Sequence, residues 1–195
     1  HASGFIALVK PLIDNGFIDE NELLTCHSIT GYSGGGKKMI ADYESEERDG
    51  LLDAPRQYAI TQQHKHLKEM QAITGLKNAP VFCPIVSDFY SGMTVTVPLF
   101  ASQLKGGKRA EDVKKLYAEK YNTEIVSYCE SVDNGGFISA ASLKMKDSMK
   151  ITVAGNEERI LLVALYDNLG KGASGAAIEC MNIALGEEKT RALDI

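Results

Sequence analysis

The stretch His64–Met70, HKHLKEM, holds two of the chain's four histidines and a carboxylate one turn further on. On a helix His66 and Glu69, three apart, share a face. An imidazole beside a carboxylate suits general acid–base chemistry. A metal site would need a third convergent ligand, and H-x-H-x-x-E is not a zinc spacing. A solvated helix start with surface histidines accounts for the same residues without chemistry. Thr30–Lys38, TGYSGGGKK, offers unobstructed backbone N–H groups followed by two cations, which suits an anion such as phosphate. A flexible surface loop is the plainer reading of the same residues. Tyr166–Ala177, YDNLGKGASGAA, puts Asn168 at a strand end before a glycine-rich helix entry. There Gly172, Ala173, Ser174 and Gly175 permit close approach of a ligand or of another element. His27, in the strand before the glycine segment, reads as a core or edge histidine.

Several elements must position these groups. HASGFIALVKPLI carries Phe5, Ile6, Leu8, Val9, Leu12 and Ile13 near helical spacing, with Gly16 as a stop. Leu23–Thr30 reads as a strand, and GYSGGGKKM as a glycine-rich loop. DYESEERDGLLDAPR is a polar excursion with little periodicity. His64–Gly75 reads as a helix ending at glycine. APVFCPIVSDFYSGMTVTVPLF gives two strands around a turn near Ser91-Gly92. KRAEDVKKLYAEKY is an amphipathic helix and EIVSYCE another strand. Alternation up to Val153, a turn at Gly155-Asn156 and a second β-rich run predict a long hairpin. GKGASGAAIECMNIAL closes the domain as a helix rich in small residues. Hairpins with interspersed helices, without regular βαβα alternation, indicate an α+β fold: a largely antiparallel sheet with helices on one face.

The 195 residues suffice for one domain, 1–195, with 187–195 read as a tail. Apolar content of 44% and charged content of 24% are those of a soluble globular protein. A net charge of −5 argues against a nucleic-acid binder. The longest apolar run, Ile160–Leu165, is far too short to span a bilayer. Cys26, Cys83, Cys129 and Cys180 lie far apart, without C-x-x-C spacing, and read as reduced thiols of a cytoplasmic protein. No G-x-G-x-x-G stands between a strand and a helix, so these residues hold no dinucleotide fold of their own. The open face of the sheet needs cover, and MTVTVPL supplies apolar residues for a homodimer or homotetramer.

Five stretches in order, HASGFIALVKPLI, SGGGKK, HKHLKEM, FCPIVSDFYSGMTVTVPL and YDNLGKGASGAA, resemble the shorter subclass of N-acetyl-γ-glutamyl-phosphate reductases. The likeness runs from His1 to about Gly186. It implies a C-terminal domain like that of glyceraldehyde-3-phosphate dehydrogenase. An N-terminal Rossmann domain binding NADP, and a nucleophilic cysteine in an N-P-G-C segment directly before His1, are expected to precede it. The implied reaction converts N-acetyl-γ-glutamyl phosphate to N-acetylglutamate 5-semialdehyde and phosphate in arginine biosynthesis, with this part alone inactive. The resemblance implies His64 as the histidine that activates the thiol and later protonates the oxyanion. It implies Tyr58, His66 and Glu69 as orienting or substrate-contacting groups, and Ser33 and Lys37 near phosphate, with Lys38 the alternative cation. Asn168 and Gly172 are implied on the cofactor side, and no metal. Aspartate-semialdehyde dehydrogenase, acting on a smaller acyl phosphate, and a non-enzymatic dimeric scaffold are the alternatives.

Overall fold

A computed structural model describes residues 1–195. Seven strands form one mixed sheet in the order β2-β3-β1-β4-β7-β6-β5. They are β1 (Thr25–Gly31), β2 (Arg56–Gln57), β3 (Val81–Ser87), β4 (Met93–Phe100), β5 (Val126–Tyr128), β6 (Met149–Gly155) and β7 (Arg159–Tyr166). β1 pairs with β3, and β5 with β6, in parallel; every other pairing is antiparallel. The sequence reads β3 and β4 as two strands about a turn, and so they are. They do not pair, however, because β1 lies between them. β6 and β7 form the expected hairpin. Gly155, at φ +111°, makes the turn, where an added Cβ would stand 2.1 Å from the Arg159 carbonyl oxygen. Asn156 Oδ1 closes it by accepting the N–H groups of Glu158 and Arg159.

Side chains alternate across a sheet. One face carries Cys26, Phe82, Met93, Val95, Val97, Ile151, Leu162, Ala164 and Tyr166, all buried in the main core. Helices α1 (Ala2–Asp14), α3 (Lys65–Thr74) and α4 (Ala110–Lys120) cover that face. α1 lies at its centre, with Phe5, Leu8, Val9 and Leu12 fully buried against β4 and β7. It approaches closely because residue 4 is glycine. A Cβ there would fall 2.8 Å from both Tyr166 Cε1 and Val95 Cγ2. Pro11 inside α1 has no N–H for the Ala7 carbonyl. The Tyr121 hydroxyl donates to that oxygen instead, at 2.5 Å, and the Tyr117 hydroxyl donates to the next one, of Leu8. α4 thereby repairs the helix that proline interrupts.

The glycine segment is not the loop its composition suggests. Tyr32–Gly35 form one 3₁₀ turn and Gly36–Glu44 form helix α2. Met39 and Tyr43, one turn apart, pack on a small second core with Leu52, Val86 and Tyr58. The Tyr43 ring stacks on Tyr32 at 4.7 Å. Packing overrides the low helix propensity of glycine here. The polar excursion that follows is pinned by Arg48, whose two guanidinium nitrogens donate to the two carboxylate oxygens of Asp88 at 3.1 and 2.8 Å. Arg48 also pairs with Asp53. This brings β2 onto the edge of β3 and places Tyr58 beside the start of α1. After a π-type turn at Gly170–Ser174, α5 (Gly175–Leu185) ends the regular structure. The last residues fold back: Asn182 Nδ2 donates to the Lys189 and Arg191 carbonyls, and the Asp194 N–H donates to Asp147.

The opposite sheet face presents Ile29, Val81, Phe100 and Leu161 to solvent, 40–62% exposed, beside Thr96 and Pro98. No helix of the chain is long and apolar enough to cross a membrane.

Candidate active site

Two helix starts meet at one cavity of about 590 Å³. His1, Ala2 and Ser3 line it from α1, and His64, Lys65 and His66 from α3. The first N–H groups of a helix have no partner within it and carry the positive end of its dipole. In α1 the Gly4 N–H donates to Tyr166 Oη at 3.3 Å, while those of Ala2 and Ser3 have no acceptor. α3 begins at its N-cap His64, whose Nδ1 accepts the His66 N–H at 3.2 Å. With Nδ1 accepting, a neutral His64 ring carries its proton on Nε2 and donates from there. Burial, with the positive charge of Lys65 behind it, holds the His64 pKa below the usual histidine range. Burial likewise brings His66 down to about 4. His66 Nδ1 is buried without a partner.

The rings form a cluster. His64 and His66 lie 4.6 Å apart between centroids, and His1 lies 6.1 and 5.6 Å from them. Tyr58 stands 6.1 Å from His64 and is hydrogen-bonded to His1. Lys65 makes no ion pair, which leaves one free ammonium at the cavity wall. Free helix N–H groups, an ammonium and neutral imidazoles together suit an anionic ligand. Glu69, on the next turn of α3, also lines the cavity but makes no hydrogen bond to either histidine.

At the other end of the cavity stand Gly34, Gly35, Asn168, Gly172 and Ala173. Asn168 Oδ1 accepts the Gly92 N–H at 2.9 Å, and Nδ2 donates to Ser33 Oγ at 2.9 Å. One N–H of that amide remains to meet a ligand. Small residues around a fixed amide leave room for a ligand to approach that remaining N–H.

His64, Tyr58, His66, Glu69, Asn168 and Gly172, singled out in the sequence, thus come together on one cavity. Ser33 and Lys37 do not line it. Ser33 is buried behind the wall, where it holds Asn168. Lys37 is exposed on α2. The cation on the wall is Lys65, which sequence reasoning passed over because it sits between two histidines. His1, Ser28 and Tyr166 were also missed. The one signal for Ser28 is a hydroxyl at an inward position of the strand Thr25–Gly31. None of the four cysteines lines the cavity. Cys26 is buried in the core, and burial pushes its thiol up to about 12. No three His, Cys, Asp or Glu side chains are grouped to hold a metal ion.

A family model described as "Semialdehyde dehydrogenase, dimerisation domain" matches residues 1–168. Among curated proteins, N-acetyl-gamma-glutamyl-phosphate reductase of Brucella ovis is 40% identical over 194 residues, which cover 96% of this chain and 62% of that protein. The protein of the same name from Sinorhizobium medicae is 38% identical over 95% of the chain and 62% of its own length. The chain therefore spans a little under two thirds of these relatives. Two solved structures share the fold. Aspartate semialdehyde dehydrogenase II from Vibrio cholerae has a TM-score of 0.66 at 16% identity, over 93% of this chain and 59% of that one. Aspartate semialdehyde dehydrogenase from Francisella tularensis has 0.65 at 10% identity, over 95% and 63%.

Proposed function

The chain belongs to the semialdehyde dehydrogenase family, as its dimerisation domain, and from that premise we propose that it is the substrate-binding part of an N-acetyl-γ-glutamyl-phosphate reductase. The parent reaction yields N-acetylglutamate 5-semialdehyde and phosphate, a step of cytoplasmic arginine biosynthesis. The observation that carries this reading is the cavity where α1 and α3 begin, lined by three histidines and a free lysine. The curated relatives of that name support the substrate.

In this reading a cysteine precedes His1 in the parent chain, at the start of α1. Its thiolate is steadied by the free Ala2 and Ser3 N–H groups and by the helix dipole. The thiolate attacks the acyl carbon: an S–C bond forms, the C–O bond to phosphate breaks, and phosphate leaves with the electron pair. Backbone N–H groups at a helix start also stabilise the oxyanion of the tetrahedral state. The His64 Nε2–H donates to that oxyanion, and Lys65 faces the departing phosphate. NADP in its reduced form, when bound, would supply the hydride that brings the acyl group to the aldehyde level, and the S–C bond then breaks to release the aldehyde and return the thiolate. Asn168, through its remaining amide N–H, and Gly172 are the groups of this chain that meet it, while a Rossmann domain of the parent holds the dinucleotide. Tyr58, His66 and Glu69 contact or orient the N-acetylglutamyl portion.

The test of the anion assignment is kinetic. Assayed in the direction of semialdehyde, NADP and phosphate, Lys65→Ala in the full-length protein raises the KM for phosphate about tenfold or more, the scale of a lost charge-assisted hydrogen bond. Lys37→Ala, outside the cavity, leaves that KM within about twofold of wild type. The reverse pattern would return the phosphate to the glycine segment.

A second copy of the chain covers the exposed sheet face, where Ile29, Val81, Phe100 and Leu161 stand among hydroxyl and proline side chains. The family description supports self-association. An Ile29→Lys, Leu161→Lys double variant sediments as a monomer at concentrations where the wild type is a dimer or tetramer. An unchanged sedimentation coefficient would place the interface elsewhere.

A further inference from the structure

Ser28 lies in the middle of β1 on the face that α1 covers, and it is 1% exposed. Its hydroxyl has one partner, His1 Nδ1, at 2.6 Å. The other nitrogen of that ring, Nε2, lies 2.5 Å from Tyr58 Oη. The ring is wedged edge-on against Phe82, with centroids 5.3 Å apart, so its orientation is fixed by packing. From these contacts we infer that Ser28 and His1 are positioning residues that fix Tyr58 as a hydrogen-bond donor into the cavity.

The polarity of the chain follows from satisfying each buried polar atom. A buried hydroxyl proton needs an acceptor. The one acceptor in reach of Ser28 is Nδ1, so Ser28 donates to it. A neutral imidazole whose Nδ1 accepts carries its proton on Nε2. Nε2–H then donates to Tyr58 Oη, which is thereby used as an acceptor. The Tyr58 proton is left to point into the cavity that its ring lines. Run in the other sense, with Tyr58 donating to Nε2 and Nδ1–H donating to Ser28, the buried Ser28 proton would have no acceptor. Burial pushes Tyr58 up to about 12, so the phenol keeps its proton at neutral pH. The ligand atom it meets is a hydrogen-bond acceptor, a carboxylate or carbonyl oxygen of the substrate.

The inference builds on the reading of the cavity as a substrate site, but its core is testable without substrate. In full-length protein carrying ¹⁵N-histidine, a long-range ¹H–¹⁵N spectrum reports the tautomer of each ring. The His1 signals are assigned by their loss in His1→Gln. The expected result is the Nε2–H tautomer at His1. Ser28→Ala removes the donor, admits the Nδ1–H tautomer, and lets Tyr58 turn its proton toward Nε2. It therefore raises the KM for the acyl phosphate about fivefold with kcat little changed, close to the effect of Tyr58→Phe. Ser28→Thr, which keeps the hydroxyl, restores both tautomer and KM. An Nδ1–H tautomer in the wild type would overturn the inference. So would an Nε2–H tautomer with a KM indifferent to Tyr58→Phe. If the wild type lacked reductase activity, the tautomer result would still decide the relay, and only the reading of the cavity would fall.

Discussion

Changing the residue that precedes His1 in the parent, read as cysteine, to alanine lowers kcat by about 10⁴-fold or more, the scale of losing a nucleophile from a unit that works together. The size follows from what else the cavity contains. No other thiol lines it. Cys26 is packed in the core, and burial pushes its thiol up to about 12, so it is not a thiolate at neutral pH. The Ala2 and Ser3 N–H groups have no acceptor within the chain and suit an anion at the start of α1. Without a thiolate, the remaining donors can polarise the acyl phosphate but cannot form the covalent intermediate. Single-turnover assays of the variant give the residual rate. A loss of less than about tenfold would mean that the covalent step is made elsewhere.

His64→Asn lowers kcat about 100-fold or more, within the usual contribution of a positioned acid–base group. Asparagine separates two duties of this residue. Its side-chain oxygen can still accept an N–H group at the start of α3, as His64 Nδ1 does, so the helix keeps its cap. What it loses is the Nε2–H aimed at the oxyanion. The variant therefore unfolds at a urea concentration close to that of the wild type while its turnover collapses. His64→Ala loses both, and costs about 1 kcal/mol of stability as well. Should His64→Asn keep wild-type turnover, the histidine would be a cap and nothing more.

The features legible in the sequence are those set by local pattern. The apolar spacing of Phe5, Leu8, Val9 and Leu12 gives α1, and the Gly155-Asn156 turn gives the β6–β7 hairpin. The histidine segment is legible as two imidazoles at a helix start, a pattern that surface histidines share, and the fold is what puts it on a cavity wall. What the sequence hides depends on distant partners. α2 forms across a glycine-rich run because Met39 and Tyr43 find Leu52 and Val86, far along the chain. β1 separates β3 from β4, a matter of sheet order that alternation does not encode. Lys65 rather than Lys37 lines the cavity because the side of α2 turned to it carries Met39, while Lys37 is exposed, a matter of helix placement that residue spacing does not encode. Ser28 and Tyr166 are polar atoms at inward strand positions, and their partners, His1 and Gly4, are 27 and 162 residues away.

The most direct measurement of the central claim is alkylation of the full-length parent. Iodoacetamide is added at neutral pH, and peptide mass mapping is followed alongside reductase activity. A thiolate at the start of α1 is the fastest sulfur to react, so the label appears first on the residue before His1. Activity falls in step with it, and the acyl phosphate slows both. Label confined to Cys180, the one exposed thiol of the chain, with activity intact, or a residue other than cysteine before His1, would contradict the account.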